Sequence, residues 1–288
     1  MVVSSGLEDY HSVDWAQPIN WRHPLARGLL AWWRNVPHAQ GNTTWRDITG
    51  RYPATLTSMA TPPTATSGPG RTRRRGGWAQ MNCDGTNDYA TAGDIARMDS
   101  QPALSVAVWA QITDVTVDSQ TLVGKYDTGG AEGLFLQTLG GSDLGFGFRG
   151  GSYLTTNTNI LAGLNGVWVH VATTFDASTS TDRHNIYVNG RLAAVTLSGS
   201  PNEIADTGAS TTSLDIGRNN ALGRYLTGAV DDVMVYTRSL RRGEIDLLYQ
   251  QSRLFHPQLL RRIAPTARAP AAGQAARSMH QYRLRRVR

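Results

Sequence analysis

Residues 167–192 read VWVHVATTFDASTSTDRHNIYVNGRL, and the alternation in that stretch decides the fold class. In an extended strand Trp168, His170, Ala172 and Thr174 point to one side. Val169, Val171, Thr173 and Phe175 point to the other, because side chains alternate with period two. Both sides are largely apolar, which predicts a strand covered on both faces and not a surface hairpin. Asp176–Asp182 reads as a polar turn segment, and Ile186–Val188 starts the return strand. Asn189-Gly190 then suits a two-residue turn that needs positive φ, with Arg191–Leu197 leaving as a third strand.

Working outward, short apolar runs recur about every 8 to 12 residues with turn residues between them, which indicates a sandwich or barrel rather than an α/β fold. These runs are Gly28–Trp33, Ala54–Leu56, Trp78–Met81, Tyr89–Ala92, Leu104–Ile112, Thr121–Lys125, Gly133–Thr138, Leu144–Arg149, Ser213–Gly217 and Leu226–Tyr236. Ser239–Leu254 is the one helical pattern, with Ile245, Leu248 and Tyr249 on one face and Pro257 beyond its end. The chain divides into an N-terminal arm (1–27), a sandwich (28–252) and a C-terminal arm (253–288). A Pro/Gly/Arg loop, 61–77, interrupts the sandwich.

The 288 residues are 40% hydrophobic and include eight tryptophans, enough to fill one large core. No run approaches the roughly 18 apolar residues of a membrane span. The opening MVVSSGLEDYHSVDW lacks a basic start followed by an apolar core, so no secretory signal is expected. Residues 253–288 carry nine arginines and no acid; removing those nine from 28 basic residues leaves 19 against 22 acidic, a net −3 for residues 1–252. The basic tail, not the domain, therefore sets the high isoelectric point. Of the basic residues 27 are Arg, and Lys125 is the one Lys. Cys83 is the sole cysteine, which rules out an intrachain disulfide and reads as a buried structural thiol.

Chemistry-bearing patterns are sparse. A glycoside hydrolase needs two carboxylates held about 5–9.5 Å apart. Asp231-Asp232 is the one pair of adjacent acids on a strand, and neighbouring residues there should face opposite sides. Hydrolysis is therefore disfavoured. Asp84, Asn87 and Asp88 cluster in one turn and are the calcium candidates, although such residues also form ordinary turns through their own backbone. His170, mid-strand among apolar neighbours, reads as a sheet-face histidine. Trp109 and Trp168 read as packing residues. Trp15, Trp21 and Trp45 lie outside the best strands and are freer to meet a partner. The tail arginines Arg261, Arg262, Arg268, Arg277, Arg283, Arg285, Arg286 and Arg288 suit docking onto an acidic protein surface. The alternatives are a disordered, solvated tail and, more weakly, nucleic-acid binding, since no base-reading motif accompanies them.

Eight pieces in order carry a resemblance. They are GLLAWW (28–33), DITGR (47–51), CDGTNDYA (83–90), SVAVW (105–109), WVHVATTFD (168–176), IYVNG (186–190), IGR (216–218) and GAVDDVMVYTRSL with EIDLLY (228–249). Together they resemble the LamG-like, concanavalin A-like jelly-roll domains, particularly the bacterial and phage branch. The resemblance implies two antiparallel sheets packed face to face, a rim that binds glycan or protein, and in some members a calcium ion. It departs at Arg241, where the family usually has a small polar N-cap; either the first turn is weaker or Ser239 caps it instead. NWRHPLARGLLAWW (20–33) is similar to the start of LamG-like proteins encoded in phage genomes. The function this implies is a non-enzymatic virion protein, of capsid-decoration or fibre type, anchored by its arms to a capsid or other virion protein. The sandwich would face outward toward host-surface glycans, and self-association through sheet edges is compatible with it. The alternative is a free bacterial lectin-like protein.

Overall fold

The computed structural model describes residues 19–34, 43–59, 80–127, 132–149, 152–179, 183–199 and 205–250. Along the chain the strands are β1 (Leu29–Trp33), β2 (Thr44–Trp45), β3 (Ala54–Thr57), β4 (Met81–Asp84), β5 (Tyr89–Thr91) and β6 (Ala103–Ile112). Next come β7 (Thr121–Asp127), β8 (Glu132–Leu139), β9 (Asp143–Arg149), β10 (Ser152–Thr156), β11 (Trp168–Asp176) and β12 (His184–Val188). The last are β13 (Arg191–Leu192), β14 (Val195–Ser198), β15 (Asp215–Ile216), β16 (Arg218–Asn219), β17 (Arg224–Tyr225), β18 (Thr227–Tyr236) and the helix α1 (Arg242–Gln250).

Two antiparallel sheets make the all-β sandwich. One has the order β1-β18-β6-β11-β12-β13, with β4 also on β18. The nine-stranded other runs β14-β10-β9-β8-β7-β15-β5-β3-β2. β11 sits in the first sheet between β6 and β12, and its burial is continuous from Val169 to Phe175, as the two-sided apolar pattern requires. Val169, Val171 and Phe175 join the core between the sheets; Ala172, on the reverse face, joins a second cluster with Leu25, Trp32, Met234, Ile245 and Leu248. That cluster lies on the outer side of the first sheet, covered by α1 and by the part of the N-terminal arm that is described. Asn189 and Gly190 turn at φ 51° and 78°. A Cβ on Gly190 would come within 3.1 Å of Asp246 and Tyr249, so the turn also seats α1.

Four expectations change. The strand after Asn-Gly does not stay in its sheet: β13 pairs with β12, while β14 pairs with β10 across the sandwich. Asp231 and Asp232 do not face opposite sides. Asp231 opposes Trp109 and Met234 opposes Ala107, three steps on β18 against two on β6, so a bulge holds Asp232 at φ 47° and breaks the alternation. Both aspartates are buried, 3% and 4% exposed. Asp232 accepts a 3.0 Å bond from the Trp32 indole and lies 3.6 Å from Arg34, so it is used structurally. Trp45 is no partner surface; it is fully buried between the sheets. Finally, Ser239 does not cap α1. Glu244, in the third helical position, accepts the Arg241 N–H at 2.8 Å and is clamped by Arg238 at 2.7 and 2.8 Å, half a capping box supplied from the other end. Trp15, the loop 61–77 and the whole tail from 253 lie outside the described residues.

Lys125 explains why one lysine stands among so many arginines. Its side chain is 2% exposed, and its Nζ lies 3.0 Å from Asp94 and 3.0 Å from Asp99 while donating to the Ser210 carbonyl. A compact ammonium fits such an oxygen nest where a planar guanidinium would not.

Candidate functional site

The nine-stranded sheet turns its outer face away from α1. Along β8, β9 and β10 the inward residues Leu134, Leu136, Phe146, Phe148 and Leu154 fill the core. The alternate residues face outward, and the register lines them up: Gly124, Phe135, Gly147 and Tyr153 stand in one row across four strands. Tyr126 and Tyr153 flank Phe135 with ring centroids 5.8 and 5.9 Å away, both edge-on, and all three rings are half-buried. The Phe135 and Tyr153 rings meet across Gly147, which is buried beneath them, so the three rings form one aromatic patch on the outer face.

The β16–β17 hairpin forms one bank. It lies over Gly124, where a Cβ would meet the Arg218 carbonyl oxygen at 3.0 Å. Arg218 donates twice to Asp215 Oδ2, at 2.9 and 2.7 Å, and stacks its guanidinium 3.4 Å from the Tyr89 ring centre. Burial pushes the Asp215 carboxyl up against the opposing pull of Arg218. Arg224 donates to Gln137 at 3.2 Å. The face thus offers aromatic planes for apolar sugar faces and fixed amide and guanidinium edges for hydroxyls. Asp215 on this face is held by Arg218.

The calcium candidates Asp84, Asn87 and Asp88 lie together at the turn between β4 and β5. Asp84 Oδ1 accepts the N–H groups of Thr86 and Asn87 at 2.7 and 3.1 Å, which holds its carboxyl below the ordinary value. Asp88 accepts the Asp84 N–H at 3.1 Å; partial burial and the Asp84 charge push its carboxyl up. Calcium takes six to eight oxygens, and among the described residues no group of three or more His, Cys, Asp or Glu is gathered to hold a metal. Cys83 beside this turn is buried, with its thiol pushed well up by burial. His170 is buried between Trp109 and Tyr249. Trp21 is 49% exposed. The tail arginines expected to dock on a partner lie outside the described residues.

A laminin G family model, described as the concanavalin A-like lectin/glucanases superfamily, matches residues 84–246, more than half of the chain. The chain belongs to this superfamily. Its match begins at the Asp84 turn and ends within α1, so it takes in the whole aromatic row. No curated protein matches the sequence significantly. Solved structures with the superfamily's sandwich include Trypanosoma rangeli sialidase (16% identity, TM-score 0.54, covering 80% of this chain and 34% of that one). Domain 4 of an extracellular GH43 arabinanase from Geobacillus stearothermophilus, in complex with arabinotriose, is also similar (17%, TM-score 0.52, 77% and 98%). So is the botulinum neurotoxin serotype D ligand-binding domain in complex with N-acetylneuraminic acid (13%, TM-score 0.53, 77% and 50%). The chain spans about a third of the length of the sialidases, and at these identities the likeness shows the shared fold. Among the described residues no helix is long and apolar enough to cross a membrane.

Phe135, Tyr153 and Arg218 were not singled out from sequence. The alternation of β8 and β10 puts Phe135 and Tyr153 on the outer face, but only the register makes them neighbours.

Proposed function

We propose that this chain is a non-enzymatic glycan-binding protein that meets saccharide on the outer face of its nine-stranded sheet. The observation that carries the reading is the outward Tyr126–Phe135–Tyr153 ring cluster, with Arg218 and Arg224 of the β16–β17 hairpin beside it. The saccharides bound by two structural neighbours, arabinotriose and N-acetylneuraminic acid, support the ligand class. The full chain applied to a glycan array should select a subset of glycans. Phe135→Ala with Tyr153→Ala should weaken that binding by about ten- to a hundredfold while the circular-dichroism spectrum stays unchanged. Absence of any bound glycan, or a double variant that binds like the parent, sinks this reading.

We further propose that the protein is carried on a phage particle, as a decoration or fibre component anchored through its terminal segments. Support comes from the sequence resemblance to phage-encoded LamG-like proteins and from the charge division between residues 1–252, net −3, and a tail of nine arginines. Co-sedimentation with purified particles tests it. The full chain should pellet with particles and a chain ending at residue 252 should pellet less; if neither pellets, the protein is a free lectin.

A further inference from the structure

We infer a second ligand site, separate from the aromatic sheet face, that takes a carboxylate-bearing saccharide. It is a cavity of about 510 Å³ where the chain enters β1, between the Pro24–Ala26 turn, the Arg51 loop and the end of β18. That volume is within the range of small-molecule sites. Four arginines line it, Arg22, Arg27, Arg51 and Arg97, and no carboxylate does.

The gathering of four arginines around one concavity is what points to a ligand. Arg218, Arg238 and Arg34 are matched by Asp215, Glu244 and Asp232. The four arginines that line this cavity have no carboxylate partner among the described residues, in a chain whose residues 1–252 are net negative. Like charges gathered without a counter-charge repel one another, so an anion seated among them gains from all four. Planar guanidinium forks suit a carboxylate, which they grip through paired N–H bonds.

Trp21 narrows the class to a sugar. Arg51 lies 5.2 Å from one side of its ring, and the Arg51 Nη1 is tied to the Leu29 carbonyl at 3.3 Å, so the stack is held from behind. The indole remains 49% exposed at the cavity, a flat apolar plane beside a cationic cluster. A sugar acid uses both, a pyranose face on the indole and a carboxylate on the arginines. An inorganic anion or an acidic peptide gains less from the plane.

Titration calorimetry on the full chain tests this with N-acetylneuraminic acid and trigalacturonate as probes, against maltotriose, inorganic phosphate and hexaglutamate. The acidic sugars should bind and maltotriose should not. Trp21→Ala, and separately Arg22→Glu with Arg97→Glu, should each weaken binding at least about tenfold, one to two kcal/mol in free energy. Arg22 and Arg97 are exposed, so the charge-reversed protein is expected to keep its fold. Phe135→Ala should leave this binding unchanged, which separates failure here from failure of the sheet-face reading. No binding of either acidic sugar, equal binding of phosphate, or tighter binding of hexaglutamate overturns the inference.

Discussion

Between pH 7.5 and pH 5.0 the protein should lose about 4 kcal/mol of folding stability, and two buried histidines should cause it. His184 sits inside the sandwich against Phe175, Phe148 and Phe146, with ring centroids 4.8, 5.6 and 5.9 Å away, and neither ring nitrogen has a hydrogen-bond partner. Burial pushes its pKa down to about 4, with help from the Arg183 charge. His170, between Trp109 and Tyr249 beneath α1, is pushed down to about 3 by burial alone. In the unfolded chain both titrate near 6.5. Below that pH the unfolded state binds protons that the folded state refuses, so stability falls as pH falls, from about 6.5 down to the folded values. At pH 5.0 each group is about 1.5 pH units into that window, roughly 2 kcal/mol apiece. Most carboxylates are still ionised there, so the histidines dominate. Urea midpoints at the two pH values measure the change. A His170→Leu/His184→Leu chain should be nearly flat across the same range. If parent and double variant decline in parallel, the histidines are not responsible.

Asp47→Ala should cost about 3–5 kcal/mol, as much as a large core truncation. The Asp47 carboxylate is buried and saturated. Oδ1 accepts the N–H of Trp32 and of Thr49, each at 2.9 Å; Oδ2 accepts the N–H of Arg51 and Tyr52 at 3.0 and 2.9 Å and the Thr49 hydroxyl at 2.5 Å. These bonds fold the DITGR loop back onto β1. Alanine leaves four backbone donors without an acceptor, and the buried Trp32 N–H, which water cannot reach cheaply, carries most of the penalty. Asn keeps the shape but turns one acceptor into a donor, so Asp47→Asn should fall between the parent and alanine. Denaturant midpoints with unchanged m-values are the readout. A loss under 1 kcal/mol for alanine would falsify the role given to this carboxylate. Because the Arg51 loop walls the arginine cavity, Asp47→Ala should also weaken acidic-sugar binding.

The sequence by itself determined the class of fold and where the chain changes direction. Two-sided apolar alternation in 168–175 can be satisfied only by a strand with cover on both faces, and Asn189-Gly190 can take the positive φ its turn needs. Helical spacing of Ile245, Leu248 and Tyr249 marked the face of α1 that packs. These are local properties, set by period and backbone sterics. What only the tertiary structure decided depends on partners far away in the chain. The bulge at Asp232 comes from how β18 fits β6, so adjacent aspartates that alternation would separate are both buried. Trp45 carries no local pattern, yet the closing of β2 onto β3 takes it into the core. Phe135 and Tyr153 become one surface through the register of β8 on β9 and of β9 on β10. Arg22, Arg51 and Arg97 lie in three distant segments, and only the folding of those segments around one cavity brings them together. Burial and charge proximity are sums over the whole fold, and a sequence pattern reports only its own neighbours.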